Sequence, residues 1–252
     1  MDAAHVALVA GAALAAGAVN AIAGGGSLLT FPALVAAGLP TVTASVTNTV
    51  ALCPGYLGAT WAQRRDLAGQ RARLGELIPA GIVGGLAGAL LLLHTGEAVF
   101  RTVVPFLILF AAILLAAQDK LRAFLLARAR GHSSVWAIVP VALACVYGGY
   151  FGAGLGVIIL AALAVVLDDS LTRINALKQA ISLACNVTAA TWFLFSGRID
   201  WTVTAIMAGA SLAGGVIGGA LVSRIPAKVF KWTVIAFAVA IAAYYLRRAL
   251  IT

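Results

Sequence analysis

The chain has 252 residues, of which 63% are hydrophobic and only 10% charged. A soluble domain carries about 25% charged residues, so lipid must solvate most of this surface. The formal net charge is +9, but the basic residues sit in short clusters between long apolar runs, which argues against a nucleic-acid face and matches the charge bias of membrane loops.

The chain opens with Met1-Asp2-Ala3-Ala4-His5, which lacks the basic region of a secretory signal. The first apolar segment is therefore expected to be retained. That segment runs over 6–37, roughly 32 residues. As one straight helix it would reach about 48 Å, against a hydrocarbon core of about 30 Å. It is interrupted by Asn20-Ala-Ile-Ala-Gly24-Gly25-Gly26-Ser27-Leu-Leu-Thr30-Phe-Pro32. Three consecutive glycines weaken a helix interior and permit unwound backbone. An unwound turn frees backbone N–H groups and the N-terminus of the next half-helix, which bind anions without a charged side chain. Ser27 and Thr30 add hydroxyls. Close helix packing through small residues is the competing reading. Recurrence of the cluster in the second half favours the site.

The second segment, 42–62, starts with Thr43-Ala-Ser45-Val-Thr47-Asn48-Thr49. Intramembrane polar residues of this kind point to function. Two ordinary spanning segments follow at 76–95 and 98–117. Gly81/Gly85 and Gly84/Gly88 have the spacing of small-residue packing faces. His94, at the end of its segment, reads as an interfacial residue.

The fifth segment, 135–167, is again roughly 32 residues long. Its glycines are Gly148-Gly149, Gly152, Gly154 and Gly156. A nucleotide loop is rejected, because no GxGxxG arrangement and no Lys-Ser/Thr is present. The sixth segment, 174–195, carries Asn175, Lys178, Gln179, Ser182 and Asn186. Asn175, Gln179, Ser182 and Asn186 share one helix face. Lys178 either attracts an anion or snorkels to the interface. Segments at 201–223 and 229–246 complete the chain, with Gly214/Gly218 and Gly215/Gly219 forming further packing faces. The five tryptophans fall near segment ends, as in an aromatic belt. Cys53, Cys145 and Cys185 have neither metal-ligand nor redox spacing and read as small apolar filler.

The halves repeat with a period near 130. Gly24 and Gly26 fall on Gly154 and Gly156, Asn48 on Gln179, and Gly84-Gly85 on Gly214-Gly215. The expected architecture is an all-α polytopic membrane protein with repeats at 1–130 and 131–252. Each repeat holds one glycine-broken segment and three spanning helices. If all eight segments span, Lys and Arg divide 11 against 6 between the two sides. If both broken segments re-enter, the division is 13 against 4 and the repeats are inverted. The positive-inside rule favours the second topology.

These blocks resemble the sulfite exporter TauE/SafE family, also called the toluene-sulfonate uptake permease family. The likeness rests on Gly24-Gly25-Gly26-Ser27-Leu-Leu-Thr-Phe-Pro32, Ala44-Ser45-Val-Thr47-Asn48, Gly152-Ala-Gly154-Leu-Gly156 and Asn175-Ala-Leu-Lys178-Gln179, and it covers both halves. Leu155 stands where a full second triplet would have glycine. The resemblance implies a transporter in the cytoplasmic membrane of a prokaryote, moving sulfite, sulfonates, sulfoacetate or other small organic anions.

The expected function is alternating-access transport of a small anion. The site residues are Asn20, Gly24, Gly25, Gly26, Ser27, Thr30, Thr47, Asn48, Gly152, Gly154, Gly156, Asn175, Lys178 and Gln179. A passive anion channel and a non-transporting membrane assembly protein are the alternatives. No enzyme motif, metal cluster, cofactor or nucleic-acid partner is expected. A homodimer through the glycine faces is possible on sequence grounds.

Overall fold

A computed structural model describes residues 3–22, 24–126 and 133–221, together with 232, 235 and 236. The described residues hold α-helices and short 3₁₀ turns, with no strand among them. The eighth apolar segment, 229–246, lies almost wholly outside the described residues. Among the described residues, three helices are long and apolar enough to cross a membrane, at Ala3–Ile22, Arg71–Lys120 and Trp201–Ala220.

The first long segment breaks at its glycines, as its composition predicts. Helix α1 (Ala3–Ile22) stops, and α2 (Ser27–Ala36) starts after them. Gly24 takes φ +88°, a left-handed value that side chains with a Cβ rarely adopt. The Gly26 N–H donates to Asn20 Oδ1 at 2.7 Å, and Gly26 packs on the Ala16 carbonyl. A helix running straight on would have carried Gly26 about 15 Å beyond Ala16. The chain therefore doubles back.

Helix α3 (Thr41–Ala62) follows. Glu97 accepts from the N–H groups of Thr41 and Val42 and from the Thr41 hydroxyl. A carboxylate there satisfies orphan donors and complements the helix dipole.

The third and fourth apolar segments form α4 (Arg71–Leu126), which breaks at Gly96 with φ +75° and ψ +166°. Gly88 lies against Val146 and Tyr150, while the Phe110 ring is 5.7 Å from the Tyr147 ring. A straight helix would separate residues 88 and 110 by about 33 Å. Gly96 is thus a reversal, and α4 has two arms, 71–95 and 97–126.

The fifth segment divides into α5 (Ile138–Tyr150) and α6 (Leu155–Val166). Gly152 and Gly154 both have positive φ, +79° and +78°. Tyr147 donates its hydroxyl to the Ala153 carbonyl at 2.6 Å, bracing this second turn. Helices α7 (Leu171–Phe193) and α8 (Trp201–Leu221) close the described chain.

The glycine faces read as packing surfaces are packing surfaces. Gly84 and Gly88 lie against α5, and Gly81 and Gly85 against α7. Gly214 and Gly218 lie against α1, and Gly215 and Gly219 against α3. A Cβ on Gly215 would overlap the Gly55 backbone, so glycine is what permits the approach. The first arm of α4 thereby packs with helices of the second half of the chain, and α8 with helices of the first half. One bundle contains α1, α3 and α8. The other contains α5, α7 and the first arm of α4. This packing within the chain occupies both small-residue faces.

Helices α3 and α7 run antiparallel at the seam. Thr47, near the start of α3, accepts from the Asp200 N–H at 3.1 Å, just beyond α7. Gln63, at the far end of α3, meets Asn175 near the start of α7 at 2.6 Å.

Candidate functional site

The two glycine breaks touch. A Cβ on Gly24 would lie 2.7 Å from the Gly156 Cα, and one on Gly156 would lie 2.8 Å from the Gly24 Cα. No side chain fits between them, so two unwound turns meet backbone to backbone.

A helix end leaves its last carbonyls without intrahelical partners. At the end of α1 these partners come from α7. The Asn20 carbonyl accepts from Lys178 Nζ at 3.3 Å and from Gln179 Nε2 at 3.1 Å. The Ala21 carbonyl accepts from Asn175 Nδ2 at 3.2 Å. Across the break, Asn48 Nδ2 donates to Ser27 Oγ at 3.2 Å. The result is one polar chain through an apolar protein, running from Asn48 through Ser27, Gly26 and Asn20 to Gln179, Lys178, Asn175 and Gln63.

Lys178 has 0% relative exposure. Its stem packs on Gly156, whose added Cβ would lie 3.4 Å from the lysine Cδ. Among the described residues no carboxylate comes within ion-pair range of its ammonium. An ammonium has three donors, and the one described acceptor is the Asn20 carbonyl. The α1 C-terminal dipole offsets part of that charge. The N-termini of α2 and α6 add positive ends; Asn20 Oδ1 accepts from the Gly26 N–H at the start of α2, and no side chain caps α6. A buried, uncompensated cation beside two helix N-termini is complementary to an anion.

Two side-chain clusters adjoin this centre. On the side of the basic 64–73 cluster, Asp169 is hydrogen-bonded by Arg73 and by Arg173. Arg173 also reaches the Ala68 carbonyl at 3.0 Å, and Gln70 donates to the Arg173 carbonyl at 3.1 Å. On the side of the Gly96 turn, Phe31, Phe100, Tyr150 and Phe151 stack edge to face. Phe31 and Phe151 have ring centroids 5.3 Å apart, and Phe100 and Tyr150 5.5 Å.

Partial burial pushes the Asp169 carboxyl up, but bonds from Arg73, the Ser170 N–H and Arg173 outweigh it and hold the carboxyl below its ordinary value. A depressed folded-state value stabilises the fold above the unfolded carboxylate range and is lost as pH falls. Thermal melting of the wild type is expected to weaken more than that of Asp169→Asn as pH drops from about 5 to about 3. Parallel melting curves for the two proteins would show that this cluster does not hold the halves together.

The structure brings together Asn20, Gly24, Gly26, Ser27, Asn48, Gly152, Gly156, Asn175, Lys178 and Gln179 of the expected site. The remaining positions have other neighbours. Thr30 turns its hydroxyl onto the Gly26 carbonyl at 3.4 Å, within its own helix. Thr47 binds the Asp200 N–H. Gly25 faces Leu115, and Gly154 faces Ala111, both on the second arm of α4. Gln63 was missed because it adjoins Arg64-Arg65-Asp66 and reads as loop. Its 2% exposure and its bond to Asn175 place it at the site's edge.

The family model for "Sulfite exporter TauE/SafE" matches residues 9–245. The "Probable membrane transporter protein YfcA" of Escherichia coli strain K12 is 28% identical over 215 residues, covering 84% of this chain and 77% of the relative. A "Probable membrane transporter protein" of Haemophilus influenzae is 29% identical over 204 residues, covering 81% and 80%. The "Probable membrane transporter protein ORF9" of a Sinorhizobium species is 26% identical over 234 residues, covering 92% and 88%. No solved structure matches. With its glycine-broken helices, its membrane-spanning apolar helices and a family match along nearly its whole length, the chain belongs to the sulfite exporter TauE/SafE family and is a multi-pass membrane transporter.

Proposed function

We propose that this transporter carries a small oxyanion, sulfite or a sulfonate, through the Lys178 centre by alternating access. The observation that carries the reading is Lys178, wholly buried and without a described carboxylate partner. Such a charge is costly unless an anion completes it. The family's description adds sulfite as the class of substrate. The site residues are the cluster from Asn48 to Gln63 that joins the two breaks.

The repeats, 1–130 and 131–252, are inverted in this reading. The antiparallel course of α3 and α7, whose residues Asn48 and Gln179 correspond, supports it. So does the division of the basic residues outside the centre, 12 against 4 once the buried Lys178 is left out of the 13, when both broken segments re-enter. The centre is then reached alternately past the Asp169 cluster and past the aromatic cluster. The host bilayer is the cytoplasmic membrane.

The test uses purified protein in liposomes, with uptake of sulfite, thiosulfate, sulfate and short sulfonates, with and without a pH gradient. Saturable counterflow of labelled anion against an opposing gradient is expected. Linear, unsaturable flux would instead identify a passive channel. Absence of flux for every oxyanion would overturn the oxyanion reading.

A further inference from the structure

The anion reading explains the donors of the site but leaves its acceptors over. Among the described residues, six buried side-chain atoms have no hydrogen-bond partner, and four of these lie here: the acceptors Asn48 Oδ1 and Gln179 Oε1, the Ser182 hydroxyl and, at the site's edge, the donor Gln63 Nε2. Gln179 has 0% exposure, and its Nε2 donates to the Asn20 carbonyl. A backbone carbonyl can only accept, so the amide orientation of Gln179 is fixed by chemistry and its Oε1 must be the free end. Ser182 follows one helical turn later on the same face of α7, also with 0% exposure and with its Oγ unpartnered. Asn48, the counterpart of Gln179 in the other repeat, leaves Oδ1 unpartnered while its Nδ2 binds Ser27.

A fully deprotonated anion offers only lone pairs. It would satisfy Lys178 yet set its own negative charge against Gln179 Oε1. Lys178 and Gln179 converge on a single oxygen, that of Asn20, so a ligand held by one is within reach of the other. A buried acceptor left unmet costs more than the bond itself would contribute. From this pairing we infer that the preferred ligand is an oxyanion that also donates a hydrogen bond, through an O–H or N–H of its own. The negative end is held by Lys178 and the N-termini of α2 and α6. The donor is received by Gln179 Oε1, with Ser182 and Asn48 flanking it. This inference rests on the anion reading above and adds to it a discrimination between anions of equal charge. The same chemistry can come from a protonated acid group or from a hydroxyl or amine on a carbon chain.

The experiment is calorimetric titration of the full-length protein in lipid nanodiscs. The probes are 2-hydroxyethanesulfonate and 1-propanesulfonate, which match in charge and shape and differ in a hydroxyl for a methyl. The hydroxyl compound is expected to bind at least about tenfold more tightly. Gln179→Met is expected to bring the two dissociation constants within about threefold of each other. Hydrogen sulfite is the third probe. If it binds more tightly than 2-hydroxyethanesulfonate, the donor sits on the acid group, and the reverse order places it on the carbon arm. Either order supports the inference provided both ligands outcompete 1-propanesulfonate. Equal affinity of the two sulfonates for the wild type would overturn the inference and leave the anion reading standing. Failure of every sulfonate and of hydrogen sulfite to bind would remove both. The wild-type comparison decides the matter even if Gln179→Met does not insert.

Discussion

Lys178→Met is expected to abolish oxyanion counterflow while the protein still inserts and melts at or above the wild-type temperature. Methionine keeps the apolar stem that packs on Gly156 and removes the ammonium. A buried charge without a carboxylate partner is a burden on the empty protein. Its loss therefore should not destabilise the fold. A bound anion loses its principal counter-charge, and truncating one side of a buried charged contact costs roughly 2–5 kcal/mol. Affinity should fall by at least about thirtyfold. Counterflow in liposomes and melting in detergent check the two halves of this expectation. Flux within a factor of about three of wild type, in protein of normal stability, would remove Lys178 from the site.

The second large effect distinguishes glycines that look identical in the sequence. Gly24→Ala should stop transport and lower stability by about 2–4 kcal/mol, whereas Gly25→Ala should be nearly silent. Gly24 combines φ +88° with direct backbone contact on Gly156. An alanine there suffers the left-handed penalty of about 1–2 kcal/mol and also forces the two breaks apart. A Cβ on Gly25 would meet only the Leu115 methyl at 3.0 Å, the far end of a flexible side chain. Gly156→Ala should resemble Gly24→Ala, since its Cβ would lie 2.8 Å from the Gly24 Cα. Melting temperatures and counterflow of the three variants provide the comparison. Equal tolerance at 24 and 25 would show that the breaks do not need to touch.

Much of this organisation is legible in the sequence. Glycine runs within segments too long for one crossing locate both breaks, because a left-handed turn has few alternatives to glycine. The α3 and α7 limits fall within three residues of the apolar stretches at 42–62 and 174–195, and α8 starts where the stretch at 201–223 does. Small residues four apart mark the packing faces. The pattern does not say which helix such a face meets, because a glycine stripe fits any close neighbour equally well. The pattern therefore does not show that 71–95 packs on α5 and α7, and α8 on α1 and α3. The two arms of α4 were read as separate segments, and Gly96 proves to be the reversal between them. Asn175, Lys178 and Gln179 were chosen as direct ligands of an anion. Their contacts on the Asn20 and Ala21 carbonyls are long-range, and no local spacing encodes them. Thr47 was grouped with Asn48 by adjacency, yet neighbours on a helix point about 100° apart, and it serves the start of α8.

The placing of 71–95 with α5 and α7, and of α8 with α1 and α3, also sets a timetable for synthesis. Residues 71–95 leave the ribosome well before α5 and α7 exist, so Gly81, Gly84, Gly85 and Gly88 must at first face lipid or the insertion machinery. Helix α8 suffers no such wait, because α1 and α3 are already in place when it is made. The 71–95 arm thus stays without its partners until roughly residue 193 has entered the bilayer, and the α1 and α3 faces stay open until α8 follows.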